Sequence, residues 1–238
     1  MTPNNEILSV THYGKPYNFE DAIISMTSWK DRINIAHYTV FSLIKLATRF
    51  HLVLVLSSDE FPNKEHDLPQ DLLVFCKANL LEILWIQPNL KSFKKILITM
   101  KEYPSTPIIS ADDGLIYNMN YAQILYDSWK NNPRAIFVHE IYSKYGFSWG
   151  VGGKGIIFPP DIFSQYIPKC FSEYILNTNH DDGLYGALAK LTNTAVICTG
   201  IEHTKIYSEI ESANECGLGR RHLYSDSVIP YIFKELQS

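Results

Sequence analysis

Five short apolar runs punctuate the first part of the chain: AIISM at 22–26, HLVLVLS at 51–57, LEILWI at 81–86, PIISA at 107–111 and AIFVH at 135–139. They alternate with segments whose apolar residues recur at helical spacing. This alternation constrains the fold more than any other feature. Short runs that are apolar throughout suit strands buried on both faces of a parallel sheet, and parallel neighbours need a crossover, usually a helix. Between the first two runs, Ile33, His37, Val40, Phe41, Ile44 and Ala47 repeat at helical intervals, with Asp31 and Asn34 as capping candidates. Helices are also expected at 71–78, at 93–103 after Ser92, and at 120–130. The order β-α-β-α-β-α-β-α-β predicts an α/β fold with a mainly parallel central sheet and helices on both faces.

After Glu140 the pattern changes. Residues 142–155, YSKYGFSWGVGGKG, are rich in glycine and aromatics. A short strand at 156–158 stops at Pro159-Pro160, and helices are expected at 161–166 and after His180. A final strand is expected at 195–199, and residues 1–20 read as an extended lead-in. With 238 residues and no linker, repeat or low-complexity stretch, a single domain spanning 1–238 is expected.

Composition narrows the function classes. Hydrophobic residues at 46% supply a core, and a net charge of -4 argues against a general nucleic-acid binder. Cys76, Cys170, Cys198 and Cys216 show no C-x-x-C spacing, so reduced thiols are expected and not a zinc site. The start, MTPNNEILSV, lacks a basic segment followed by an apolar one, so no signal peptide is expected. No apolar run is long enough to span a bilayer, which leaves only peripheral membrane contact.

Several clusters carry candidate chemistry. Asp112 and Asp113 follow the fourth apolar run, at the strand end where open α/β sheets hold ligands. Adjacent carboxylates are easiest to keep when a cation such as Mg²⁺ or Mn²⁺, or basic side chains, face them. The plain alternative is a turn with one capping Asp and Gly114. Asp181 and Asp182 precede an apolar helix face, as an N-cap and first-turn acid or as a general base of raised pKa. Gly150-Val151-Gly152-Gly153-Lys154-Gly155 is not a phosphate loop, because Lys154 is followed by Gly155. It suits close approach of backbone to a sugar, with Tyr145, Phe147 and Trp149 as stacking surfaces, or else a Gly-rich hairpin with buried aromatics. Arg220-Arg221 can clamp a diphosphate or form a solvated turn. Lys94-Lys95 reads as a solvated helix face, with Lys95 able to reach a phosphate. His203 and His222 are weak metal-ligand candidates.

Taken in order, four stretches resemble the bacterial GT-A-type glycosyltransferases close to glycosyltransferase family 2, of the capsule and lipopolysaccharide type. Ile23-Ile24-Ser25-Met26-Thr27-Ser28-Trp29 with Arg32-Ile33 is similar to the family's opening strand and its T-S-x-x-x-R-I continuation. LVLSSDEFP at 54–62 is similar to its second strand. Lys94-Lys95, then Glu102-Tyr103-Pro104, then Ile108 to Asp113 in sequence, is similar to the approach to the family's Asp-rich donor motif. Gly150-Val151-Gly152-Gly153 with Phe158-Pro159-Pro160, followed by Asp181-Asp182, resembles the acceptor-side segment and later D-D pair.

The resemblance implies a single GT-A (Rossmann-like) domain, with 22–140 as the nucleotide-sugar-binding half and 141–238 as the acceptor half and tail. It implies inverting transfer from a nucleotide sugar, with a UDP-sugar expected, to a hydroxyl of a surface glycan or lipid-linked glycan. Thr27, Ser28 and Arg32 would lie near the nucleoside. Asp112 and Asp113 would meet the ribose and a Mn²⁺ or Mg²⁺ ion, with His203 as a further metal candidate. Lys95, Arg220 and Arg221 would serve the donor, and Trp149, Gly152 and Gly153 the acceptor. Asp181 or Asp182 would be the base. A cytoplasmic protein, peripheral at the inner membrane face, is implied. One position departs: Gly114 stands where the family has a third Asp, typically the metal ligand. Three outcomes fit. Asp113 takes over as ligand, the enzyme works without metal through Arg220 and Arg221, or the chain is an inactive copy. The rival from another class is a non-catalytic nucleotide- or glycan-binding protein of this fold that assists a partner transferase.

Overall fold

In the computed structural model, residues 8–14, 21–46, 49–202, 205–210 and 226–238 are described. The apolar runs become β2 (Ala22–Thr27), β3 (Phe50–Ser57), β4 (Glu82–Gln87), β5 (Ile108–Ser110) and β7 (Ile136–Val138). With β1 (Ser9–Tyr13), β10 (Ile156–Phe158) and β11 (Val196–Cys198) they form an eight-stranded sheet, ordered β1-β4-β3-β2-β5-β10-β7-β11. Strands β2 to β5, β7 and β11 point one way; β1 and β10 run against them. The sheet is therefore mainly parallel, as the alternation predicts.

Helices cover both faces because the strand residues alternate. Ile24, Met26, Leu52, Leu54 and Ile109 face one core, against α1 (Ile33–Ile44), α2 (Gln70–Lys77) and α4 (Tyr121–Asn131). Ile23, Val53, Val55 and Ile108 face the other, against α3 (Lys94–Glu102), α7 (Asp181–Leu191) and the C-terminal helix Ile229–Gln237. From β2 the chain steps outward through β3 and β4, then returns to place β5 on the other side of β2. That reversal of strand order opens a crevice at the C-terminal ends of β2 and β5, where such sheets bind ligands.

Several elements differ from the sequence expectation. The described part of the lead-in is β1, an edge strand antiparallel to β4. Strand β6 (Leu115–Tyr117), just after the Asp-Gly turn, pairs with β12 (Tyr207–Glu209) in a small second sheet. Residues 142–155 form the hairpin β8 (Ile141–Lys144) and β9 (Phe147–Gly150), then a 3-10 turn, Gly152–Lys154. The helix expected at 161–166 is a 3-10 turn, Ser164–Tyr166, leading into the short α5 (Ile167–Cys170) and α6 (Glu173–Asn177). β10 lies between β5 and β7, so the halves divided near residue 140 share one sheet. Cys76 and Cys170 are free, buried thiols whose pKa burial pushes up to about 12; Cys198 is free and exposed. Among the described residues no helix is long and apolar enough to cross a membrane.

Candidate active site

The parallel pairing of β2 and β5 sets Ser25 opposite Ser110. Three residues beyond that pair on each segment, the chain brings Ser28 and Asp113 together: Ser28 Oγ donates to Asp113 Oδ2 at 2.6 Å. Arg32, at the N-cap position of α1, reaches the other oxygen, with Nη2 3.1 Å from Oδ1. Neither Asp31 nor Asn34 caps α1; the N-cap has no side-chain hydrogen bond. Burial pushes the Asp113 carboxyl up to about 6, against the opposing pull of Arg32 and Ser28. Thr27 turns the other way, its hydroxyl donating to Val55 O of β3 at 2.7 Å.

Lys94 and Lys95 overturn the solvated-face expectation for α3. Both are buried, at 2% and 3% exposure. Burying an ammonium costs several kcal/mol unless it is paired, and the N-terminal end of a helix is the wrong end for a cation. Carboxylates meet the cost. Lys95 Nζ donates to Asp112 Oδ1 at 2.7 Å and lies 3.4 Å from Asp181 Oδ2. Burial works against the Lys95 charge, but Asp112, Asp181 and Asp182 outweigh it and hold its pKa well above the ordinary lysine value. Lys94 has thinner support: Lys91 O at 2.9 Å, Asn89 at 3.3 Å and Glu60 at 3.8 Å. Burial lowers its pKa to about 8.

The second aspartate pair arrives at the start of α7. The helix is capped by His180, not by an aspartate: its Nδ1 accepts from Gly183 N at 3.0 Å. His180 Nε2 also faces Asp226 Oδ1 at 3.4 Å, just ahead of the C-terminal helix. Asp181 and Asp182 thus fall in the first turn, as first-turn acids. Asp181 is buried toward Lys95. Asp182 keeps partial solvent access, and its Oδ1 accepts from Gly152 N at 3.0 Å. Burial and the neighbouring Asp181 raise the Asp182 pKa well above the carboxylate range, with Lys95 opposing them.

The glycines are explained by space. A Cβ on Gly152 would lie 2.8 Å from Asp182 Oδ1, and one on Gly153 2.5 Å from Asp112 Oδ2. The turn is laid between the two acidic pairs and pinned from below. Ser110 Oγ donates to Gly152 O at 2.8 Å, and Tyr117 OH donates to Gly153 O at 2.6 Å while accepting from Asp112 N at 2.8 Å. Ser110, Tyr117 and His180 were not singled out from the sequence. Their roles are made by contacts with distant backbone, which leave no local signature. Trp149, expected to stack on an acceptor, is only 5% exposed; Tyr142, 49% exposed, lies parallel to it at 6.5 Å between ring centroids. The exposed aromatic rings on this hairpin are those of Tyr142 and Tyr145, the latter 52% exposed.

Arg220, Arg221, His222 and His203 lie outside the described residues. The described residues flanking 211–225 are both tied to the site, Ile210 N to Gly114 O at 3.0 Å and Asp226 to His180. Among the described residues, no three His, Cys, Asp or Glu side chains are grouped to hold a metal ion. Asp112 and Asp113 face an ammonium and a guanidinium instead, so the donor set does not fit a divalent ion as it stands.

No protein-family model and no curated protein sequence matches the chain. Its structure is similar to the crystal structure of S. aureus TarS, a glycosyltransferase, with a TM-score of 0.55 at 13% sequence identity. The likeness covers 92% of this chain and 43% of that one, so the chain spans less than half of the structure it matches. At this identity the likeness shows the fold alone, a Rossmann-like α/β domain with a mainly parallel sheet.

Proposed function

We propose that the protein is a glycosyltransferase that moves a sugar from a nucleotide-sugar donor to an acceptor hydroxyl, with Asp182 as the base. One observation carries the reading. Two aspartate pairs, at 112–113 and 181–182, converge on one buried lysine at the strand-order reversal of a glycosyltransferase fold. Asp182 combines partial exposure, an orienting bond from Gly152 N and a raised pKa, which suit a carboxylate that takes a proton from an attacking hydroxyl. In the step proposed, the acceptor oxygen bonds to the anomeric carbon as its proton passes to Asp182. The bond from that carbon to the diphosphate oxygen breaks, and the nucleoside diphosphate leaves with the electron pair, inverting the anomeric centre.

A cleft of about 410 Å³ bounded by Lys30, Asn34, Glu60 and Phe61 adjoins the turn that carries Arg32, and is of a size for a nucleoside. We assign it the donor's base and ribose, with a UDP-sugar as the first candidate. Ser28 and Arg32 would set the position of Asp113 beside the donor, and Arg220 and Arg221 would meet the diphosphate. Tyr142 replaces Trp149 as the stacking surface proposed for a glycan acceptor. A divalent ion, where bound, would stabilise the departing diphosphate; no step above runs through it. The second reading, a non-catalytic nucleotide- or glycan-binding protein, is favoured by Gly114 at the position of the family's third Asp.

Asp182→Asn tests the base assignment. The enzyme reading expects transfer to fall by about 10²–10⁴-fold, with UDP affinity unchanged in calorimetry. Full turnover by the mutant would remove Asp182 from the base role.

A further inference from the structure

A pocket walled by carboxylates is a natural place for a divalent ion, and the family resemblance implies one. The place is taken. Lys95 Nζ is 2.7 Å from Asp112 Oδ1 and 3.4 Å from Asp181 Oδ2. A Cβ on Gly152 would be 3.0 Å from Nζ and 2.8 Å from Asp182 Oδ1, so the third carboxylate borders the same point. The fourth, Asp113, is already held by Arg32 and Ser28. An ammonium sits about 2.8 Å from its oxygens, whereas Mg²⁺ draws them in to about 2.0–2.1 Å, so one set of oxygens cannot serve both. Lys95 cannot swing away cheaply. It projects from the first turns of α3 and is 3% exposed, with Gly152 closing over it. Without it the buried Asp181 would face Asp112 and Asp182 with no cation between them.

We propose that the Lys95 ammonium is the resident cation of this site. It joins the donor-side Asp112 to the acceptor-side Asp181 by a charge fixed to the chain, so that nucleoside diphosphate binding needs no divalent ion. The binding half of this inference rests on the donor-site reading above; the ion half does not.

The ion half is tested with Mn²⁺ alone, followed by electron paramagnetic resonance as it is titrated into the full-length protein. The wild type is expected to show no saturable Mn²⁺ binding. Lys95→Met, which keeps length and removes charge, is expected to gain a site at least about tenfold tighter than anything in the wild type. Stoichiometric Mn²⁺ binding by the wild type overturns the proposal, and so does a folded Lys95→Met that gains none. If circular dichroism shows that Lys95→Met does not fold, the wild-type titration decides by itself. The binding half is tested with UDP in calorimetry, in EDTA and then in Mn²⁺. Affinities within about twofold of each other are expected, and a gain above about tenfold in Mn²⁺ overturns the proposal. No UDP binding in either condition counts against the donor-site reading, and the Mn²⁺ titration then decides the resident-cation claim.

Discussion

Buried carboxylates stand at both edges of the sheet, and the two edges treat them differently. At the N-terminal edge, Glu82 opens β4 and is fully buried. Its oxygens are saturated: His12 Nδ1 donates to Oε1 at 2.6 Å, and His51 Nε2 and Tyr103 OH each donate to Oε2 at 2.5 Å. Burial alone would raise its pKa, but these donors outweigh burial and hold the carboxyl below the ordinary range. At the C-terminal edge, four carboxylates, Asp112, Asp113, Asp181 and Asp182, divide Ser28, Arg32, Lys95 and Gly152 N among them, far fewer donors for each. Among the described residues Asp181 Oδ2 has no hydrogen-bond partner, only the Lys95 ion pair at 3.4 Å. There burial prevails, and the Asp113 and Asp182 pKa values rise. The first edge has spent its polar groups on the fold. The second leaves acceptor capacity unused, which suits the base and donor roles proposed above. Helix α3 links the two, with Lys95 near its start and Tyr103 just past its end.

The largest effect that would break this contrast is at Glu82. Glu82→Gln keeps the shape but leaves His12 and His51 facing a neutral amide. A loss of about 3 kcal/mol in unfolding free energy is expected, read from urea unfolding, with the transfer rate of the folded fraction unchanged. A mutant that keeps its stability would show that saturation at this edge is incidental.

Opposite pH slopes sharpen the comparison. The Asp113 carboxyl is raised from 3.8 to about 6, so the folded state binds its proton more tightly than the unfolded state. Stability is therefore lost as pH rises from about 4 to about 6, by up to about 3 kcal/mol, and Asp113→Asn should flatten that fall. Glu82 has the reverse sign. Its contribution is full above 4.5 and is lost as pH falls through its lowered folded value, and Glu82→Gln should remove that loss. Stability curves over this range that the two variants change in the same direction would contradict the assignment.

A smaller effect is expected at Gly152. In Gly152→Ala the new methyl displaces the Asp182 carboxyl, which it would meet at 2.8 Å. Transfer should fall about tenfold through misplacement of the base, with the urea midpoint nearly unchanged. An unaltered rate would mean that Asp182 does not need the Gly152 contact. The smallest effect is at His12, which is 43% exposed. Burial opposes its charge, but the bonds to Glu82 and Glu102 raise its pKa. Its contribution is present below 6.5 and fades as pH rises through the raised value. His12→Gln should cost no more than about 1 kcal/mol below pH 6.5, visible as easier urea unfolding, and less above it.

The parallel core was legible because each strand announces itself locally, as a short apolar run between helical segments. Asp112 and Asp113 were legible for the same reason, since a strand end fixes where they emerge. The sequence left either a divalent cation or basic groups to face them, and among the described residues Lys95 and Arg32 do. What was hidden depends on contacts far along the chain. Glu82 meets His51 from 31 residues away and His12 from 70. β10 turns against its neighbours and enters the sheet between β5 and β7, which no local pattern encodes. A Lys-Lys pair reads as solvated until the acids that neutralise it are brought up from other segments. His180 was passed over as a cap because histidine is outside the usual capping set.

The most direct test of the functional edge is release of nucleoside diphosphate from a panel of nucleotide sugars by the purified wild-type protein, with and without glycan acceptors. Release from at least one donor is expected, accelerated by an acceptor and matched by the appearance of a new glycosidic bond. A folded protein that binds UDP yet releases nothing from any donor, with every acceptor tried, would contradict the proposed function and make this a nucleotide-binding protein of the same α/β fold.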